Sequence, residues 1–284
     1  MILIADSGST KTDWIVLNDQ PEIEHQFTTK GLNPNVISFD AIFNLLITSP
    51  EIEKLIPQVN KLFFYGSGCG SEKNSKSMHA TLKSVFTKSI IEVKSDLYAA
   101  AYATSGIKGG IVCILGTGSN SCFYNGRELS GGNFSLGYLL GDEGSGFYFG
   151  KRLLRDYFYG ILPNELKEKF AEAYPISRED LIRKVYQESY PNQFIASFVP
   201  FLKENINHPY CNYLINFGFD EFIKIFITTI PNYKLWPVHF VGSVADAFHE
   251  QLIASCKAND LVEGNIIASP ALSLANYHIM MEKR

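Results

Sequence analysis

ILIADSGSTKTDWIVL, residues 2–17, decides how the rest of the chain reads. Ile2 to Ala5 and Trp14 to Leu17 are apolar runs of strand-forming residues. Between them Asp6-Ser7-Gly8-Ser9-Thr10-Lys11-Thr12 is a turn of small hydroxyl residues. The pattern predicts a β-hairpin whose tip can hold a phosphate. Gly8 permits a tight turn with converging backbone N–H groups, the Ser and Thr hydroxyls add donors, and no bulky side chain covers the anion. Asp6, at the end of the first strand, would face the phosphates. A carboxylate suits that place beside a cation such as Mg²⁺, which takes oxygen ligands and keeps several of its waters. The same residues also fit an ordinary hairpin with a polar turn.

A second copy of the design follows. Ile111 to Leu115 is another short apolar run, Gly116-Thr117-Gly118-Ser119-Asn120-Ser121 another small hydroxyl turn, and Cys122 to Tyr124 the start of another strand. Two such hairpins about a hundred residues apart point to an internally duplicated chain gripping one phosphate chain from both sides. Neither turn reads GxxxxGK followed by Ser or Thr, and neither is the GxGxxG of dinucleotide folds.

The 284 residues suffice for two domains with their own cores. Hydrophobic residues at 46% and charged residues at 19% exclude a disordered chain. A net charge of −4 with no basic stripe argues against nucleic-acid binding. No apolar run approaches a membrane span, and the N-terminus shows neither the basic nor the apolar region of a signal peptide. The five cysteines, Cys69, Cys113, Cys122, Cys211 and Cys256, lack metal-ligand spacing. A reduced, cytoplasmic protein is expected, with Cys113 and Cys122 as core thiols and Cys69 on an exposed loop. The apolar and aromatic second half is compatible with a homodimer.

Further strands are expected over 23–28, 61–65, 90–93, 238–241 and 266–268. Helices are expected over 39–48, 75–88, 97–104, from Gly146 to about 158, from after Gly242-Ser243-Val244-Ala245 to about 256 and from Pro270 onward. Gly146 and Gly150, four apart, allow close helix packing. Residues 163–234 read as an all-helical insertion whose Phe170, Leu181, Val185, Phe194, Phe198, Phe201, Phe222 and Phe226 are core. Ser105 to Gly110 is the expected hinge. Asp96 stands where a strand hands over to a helix, the rim at which α/β sheets place their chemistry; a first-turn Asp answering the helix dipole fits equally. Asp142-Glu143, with glycine on both sides in Gly137-Tyr138-Leu139-Leu140-Gly141-Asp142-Glu143-Gly144-Ser145-Gly146, can hold sugar hydroxyls or answer a helix dipole. Gly242-Ser243, after a strand, is a place where a flat base can lie against backbone. Asn33 and Asn35 read as loop formers.

The order of DSGSTKT, LGTGSNS, GYLLGDEGS and FVGSVA resembles the actin-like ATPase superfamily of sugar kinases, hexokinases, actin and Hsp70-type chaperones. The GTGSN and GDEGS pair is most similar to the N-acetylglucosamine kinase-like proteins, within the wider family that includes ATPase activators of benzoyl-CoA reductase and 2-hydroxyacyl-CoA dehydratases. The resemblance implies an α/β chain of two ribonuclease-H-like domains, 1–106 completed by 270–284 and 107–269, with ATP in the cleft between them. By resemblance the first phosphate loop spans Asp6 to Thr12, with Gly8, Ser9, Thr10 and Lys11 at the phosphates, Thr10 as the contact and Asp6 holding Mg²⁺ through water. The second spans Gly116 to Asn120, with Gly116, Thr117 and Gly118 toward ATP and Ser119 and Asn120 toward the sugar. Asp96 falls at the catalytic base, Asn35, Gly137, Asp142 and Glu143 at the sugar, and Gly242 with Ser243 at the adenosine. The chain departs from the pattern in Leu136-Gly137, where these kinases usually carry Trp-Gly, and in Pro270-Ala271-Leu272-Ser273, where the last helix usually begins PAxGA.

The function this implies is transfer of the γ-phosphoryl of MgATP to the 6-hydroxyl of N-acetylglucosamine. Kinases of N-acetylmuramate or glucosamine are the near rivals, Leu136 leaving room for a lactyl group. A dehydratase-activating ATPase, which needs cysteines presented to an iron–sulfur cluster, and a non-catalytic sugar sensor, which would lack the base, are rivals of other classes.

Overall fold

The computed structural model describes residues 1–133 and 135–283. In chain order the first elements are β1 (Ile2–Ser7), β2 (Lys11–Leu17), β3 (Ile23–Lys30), α1 (Phe39–Ile47), α2 (Pro50–Leu55), β4 (Lys61–Gly66), α3 (Glu72–Val85), β5 (Ile90–Ser95) and α4 (Asp96–Thr104). Then come β6 (Gly110–Leu115), β7 (Ser119–Tyr124), β8 (Leu129–Ser130), α5 (Gly137–Leu140) and α6 (Gly146–Phe158). The helical stretch follows as α7 (Asn164–Ala173), α8 (Arg178–Tyr186), α9 (Pro191–Ala196), α10 (Val199–Glu204) and α11 (Pro209–Phe222), the last running into a π-helical turn, Ile223–Ile227. The chain closes with β9 (Pro237–Val241), α12 (Ser243–Ala247), α13 (His249–Ala258), β10 (Val262–Ile267) and α14 (Ala271–Glu282).

These elements form two compact units, residues 1–108 with 269–284, and residues 109–268. Each is built on a five-stranded sheet. The first has the order β3-β2-β1-β4-β5 and the second β8-β7-β6-β9-β10, the same order counted from each unit's own first strand. The hairpin strands pair antiparallel and the last three parallel in both. The duplication expected from the two hairpins is therefore a duplication of topology, the ribonuclease-H-like arrangement. β1 and β6 are the centres of their sheets, which is why their sequences are near-continuous apolar runs.

Several boundaries differ from the expected ones, each for a local reason. The first hairpin is tighter than a seven-residue turn: Ser7 pairs with Thr12 in register, and their buried hydroxyls lie 2.8 Å apart, so Gly8, Ser9 and Thr10 alone form the tip. In the second, β7 begins at Ser119 and not at Cys122, because Ser119 pairs with Leu115. α3 begins at Glu72 because the Ser71 hydroxyl accepts the Asn74 N–H at 3.2 Å as an N-cap. The helix after Gly242 breaks at Phe248, which is fully buried and leaves the helical region. The two-residue β8 carries no clear sequence signal, whereas α2 has one, with Ser49 as N-cap, Pro50 at the first helical position and Glu51 and Glu53 in the first turn.

In the first unit Trp14 is fully buried, stacks on Phe27 and donates its indole N–H to Thr29 Oγ1 at 2.9 Å. α14 lies on α4 through stacked Tyr102 and Tyr277, centroids 4.4 Å apart, and the Tyr65 hydroxyl meets His278 Nε2 at 2.9 Å. In the second unit Phe170, Phe198, Phe201, Phe222 and Phe226 are buried, with Leu181, Val185 and Phe194 packed against them, so the insertion shares one core with the sheet. Cys113 and Cys122 are core thiols. Among the described residues no helix is long and apolar enough to cross a membrane.

Candidate active site

In the first unit three strand ends and one loop bring the predicted residues together. Asp6, one residue before the end of β1, is half-buried, and Asp96 opens α4 just beyond β5. Ser67, just after β4, donates its amide to the Ser7 carbonyl at 2.8 Å. The Asp96 carboxylate accepts the Leu97 N–H at 3.0 Å and a hydrogen bond from the Ser67 hydroxyl. Burial raises the Asp96 carboxyl to about 6 against the lowering by these donors. Burial, then the charges of Asp96 and Asp13, push Asp6 up to about 7, with Lys11 opposing. Two acids with oxygen donors that repel each other form a natural seat for a hydrated Mg²⁺, which is held by one or two carboxylates plus substrate phosphates. Among the described residues no group of three or more His, Cys, Asp or Glu is assembled for a metal.

Both carboxyls bind their proton more tightly in the folded chain than at the ordinary value of 3.8. Their contribution to stability therefore falls as pH rises from about 4 to about 7. Asp6→Asn removes the repulsion, so its Tm should exceed wild type by about 2–5 °C at pH 8 and match it at pH 4. Thermal melts at the two pH values check this; a lower Tm at pH 8 would refute the electrostatic account.

At the hairpin tip Thr10 is exposed and Ser9 half-buried. The Gly8 amide donates to the Lys11 carbonyl at 2.9 Å and closes the tight turn that glycine permits there. Lys11 Nζ pairs with Asp13 at 2.7 Å. Asn33, fully buried apart from 6% of its surface, ties the tip down: its Nδ2 donates to Ser9 Oγ at 2.8 Å and Ser67 Oγ at 3.3 Å, and its Oδ1 accepts the Asn35 N–H. Asn35 itself is exposed and accepts from Asn74 Nδ2 at 2.9 Å.

In the second unit the Gly116–Gly118 turn is welded to the start of α6. The Gly116 amide bonds the Gly118 carbonyl at 3.0 Å, while the carbonyls of Gly116 and Thr117 accept the N–H groups of Gly146 and Phe147 at 2.8 and 3.0 Å. Asp142 has φ of +61°, a strained conformation for a non-glycine residue. It turns a buried carboxylate onto the turn, where it accepts the Ser119 N–H and the Ser135 hydroxyl, the latter at 3.2 Å. Burial raises its pKa. A Cβ on Gly118 would lie 2.6 Å from Asp142 Oδ2, so any larger residue there would displace that carboxylate. Ser119 donates to the Glu143 carbonyl at 2.8 Å, Asn120 Oδ1 accepts the Ser121 N–H, and Gly137 opens α5 with φ of +71° beside exposed Leu136, Leu139 and Leu140. Gly242, φ +132°, packs on the Leu115 carbonyl with its amide on Ile267, and Ser243 is exposed at the first residue of α12.

Cys69 contradicts its expected place. It is 3% exposed in the first core, and burial followed by the charge of Asp96 pushes its thiol up to about 12. The glycines around it made the segment look like an open loop, but Gly66 lets the thiol fold inward. All five cysteines are free and buried.

Solved structures share this architecture. A candidate N-acetylglucosamine kinase from Porphyromonas gingivalis matches 99% of this chain and 100% of its own at 36% identity, with a TM-score of 0.93. The chain belongs to the sugar kinases of the actin-like ATPase fold. A candidate N-acetylglucosamine kinase from Chromobacterium violaceum matches 97% of this chain and 98% of its own at 15% identity and a TM-score of 0.75. A ROK family glucokinase from Streptomyces griseus, solved with glucose and AMPPNP, matches 99% and 100% at 14% identity and a TM-score of 0.53. At those identities the likeness is one of fold. No family model and no curated protein matches the chain.

Within this sugar-kinase chain two residues join the site that sequence reasoning left out. Asn33 and Ser67 form a polar link from the hairpin tip at Ser9 to the carboxylate of Asp96. Serine among glycines and asparagine before proline both signal turns, and nothing in their spacing distinguishes a turn former from a buried connector.

Proposed function

We propose that this protein transfers the γ-phosphoryl group of MgATP to the 6-hydroxyl of N-acetylglucosamine. The observation that carries the reading is the state of Asp96, a half-buried carboxyl raised to about 6 and held by Ser67 and the Leu97 N–H at a strand-to-helix rim. Such a group is ionised at neutral pH yet basic enough to accept a hydroxyl proton. The 36% identity to a candidate N-acetylglucosamine kinase supports the choice of sugar. MgATP supplies the phosphoryl group and the charge neutralisation that phosphoryl transfer needs. Asp6 would hold the hydrated cation, the Ser9-Thr10 tip and the Gly116–Gly118 turn would position phosphates, and Gly242 with Ser243 would lie against the adenosine. Asp142, fixed on the Ser119 amide, would orient sugar hydroxyls together with Asn35, Asn120, Gly137 and Glu143. Asp96 would take the proton as the bond forms.

The dehydratase-activating reading loses its support, because a cluster needs thiolates at the surface and every cysteine here is buried. The test is product identity. After incubation with MgATP and N-acetylglucosamine, ³¹P–¹H correlation spectra should place the new phosphate on the C6 methylene; phosphate on another carbon, or no sugar phosphate, would refute the assignment.

A further inference from the structure

The buried amide of Asn33 can face only one way. Its Oδ1 accepts the Asn35 backbone N–H at 2.9 Å. A backbone N–H can only donate, so the oxygen is fixed on that side and the NH2 group on the other. The seat is close-fitting, for a Cβ on Gly68, where φ is +81°, would run into the same Oδ1. The two Nδ2 hydrogens are then given to two serines, Ser9 Oγ at 2.8 Å and Ser67 Oγ at 3.3 Å.

That direction carries onward. A serine hydroxyl has one hydrogen and two lone pairs. Ser67 Oγ takes the Asn33 N–H on a lone pair, which leaves its own hydrogen to give, and the acceptor is the Asp96 carboxylate. The Ser67 amide donates to the Ser7 carbonyl at 2.8 Å, which fixes the backbone from which the hydroxyl reaches. A lone hydroxyl rotor has no preferred sense, whereas one polarised from behind has. Asp96 Oδ1 also accepts the Leu97 N–H at 3.0 Å. Two donors from different elements, the turn after β4 and the start of α4, therefore hold the carboxylate.

We propose that Asn33 is a positioning residue for phosphoryl transfer: its one-way amide commits the Ser67 hydroxyl as a donor to Asp96 and so sets the orientation in which that carboxylate meets the acceptor hydroxyl. The inference rests on the reading of Asp96 as the base and adds to it a residue that acts through another. The N–H that fixes the amide belongs to Asn35, so the aim of the base is set from the loop proposed to meet the sugar.

Asn33→Asp keeps the shape and the acceptor for the Asn35 N–H, but it replaces the NH2 donor by a second acceptor. Ser67 then turns its hydrogen from Asp96 toward the new carboxylate. The experiment measures kcat and KM for MgATP and N-acetylglucosamine in wild type, Ser67→Ala, Ser67→Thr, Asn33→Asp and the double variant Ser67→Ala with Asn33→Asp. Ser67→Ala should lower kcat about tenfold with both KM values within about twofold, and Ser67→Thr, which keeps the hydroxyl, should recover most of the loss. Asn33→Asp should lower kcat about tenfold or more in wild type, but less than about threefold further once Ser67 is replaced, because its effect runs through that hydroxyl. A Ser67→Ala rate within about twofold of wild type, or an Asn33→Asp loss undiminished in the Ser67→Ala background, overturns the inference and leaves the kinase reading standing. If wild type phosphorylates no sugar, the kinase reading fails. The link is then decided, as it is if Asn33→Asp does not fold, by the Asn33 side-chain amide signals in ¹H–¹⁵N spectra. A shift of those signals in Asp96→Ala that Ser67→Ala abolishes upholds the directed chain, and signals indifferent to Asp96 overturn it.

Discussion

Asp96→Asn lowers kcat for sugar phosphorylation by about a thousandfold or more while MgATP binding stays within about twofold of wild type. The amide keeps the shape and can still accept the Leu97 N–H, so the start of α4 is preserved. What it loses is the ability to take a proton from the attacking hydroxyl. The pH profile of wild type reports the same group. As the proposed base Asp96 would work only when ionised, and its carboxyl is raised to about 6, so kcat/KM should be flat above neutrality and fall about tenfold per unit below that value. Steady-state rates across pH 5–8 and nucleotide binding by calorimetry check both statements. Residual activity above about a tenth of wild type would remove Asp96 from the chemistry.

Gly150→Ala destabilises the second unit by about 3 kcal/mol or more, enough to lower Tm by roughly 6–12 °C. Propensity alone argues the opposite, since alanine is favoured over glycine inside a helix by about 1 kcal/mol. Geometry decides the sign. A Cβ at Gly150 would lie 2.8 Å from the carbonyl carbon of Ile195 and closer still to its oxygen, and these are backbone atoms that cannot turn aside. α6 would have to back away from α9. Since α6 begins at Gly146 and Phe147, whose N–H groups donate to the Gly116 and Thr117 carbonyls, the shift would also loosen the Gly116–Gly118 turn. Differential scanning calorimetry gives the stability, and a Tm equal to or above wild type would show that the crossing is soft.

The fold was legible where one residue type had one use. Apolar runs ending in small hydroxyl turns marked both hairpins, and their repetition pointed to duplication, which the matching strand orders bear out. Gly146 and Gly150 at helical spacing marked the packing face that the structure uses. The site was legible to the level of the loops and not of the bonds within them. Gly8 was read as permitting a tight turn with converging N–H groups, and in the structure its own amide donates to the Lys11 carbonyl. Asn33 was read as a loop former because it precedes proline, yet it is the buried link between Ser9 and Ser67. Asp142, flanked by glycine in the sequence, was read as able to hold sugar hydroxyls or answer a helix dipole, and a positive φ turns it inward onto the Ser119 N–H. Cys69 was read as exposed because glycine flanks it. In each case burial depends on which loops meet, a long-range outcome that local spacing does not encode.

The most direct measurement is ADP release from MgATP, with N-acetylglucosamine, N-acetylmuramate, glucosamine and glucose supplied separately at equal concentration. The account predicts release that rises strongly with an N-acetylated amino sugar and stays near background without one. Steady release that no sugar changes would contradict it.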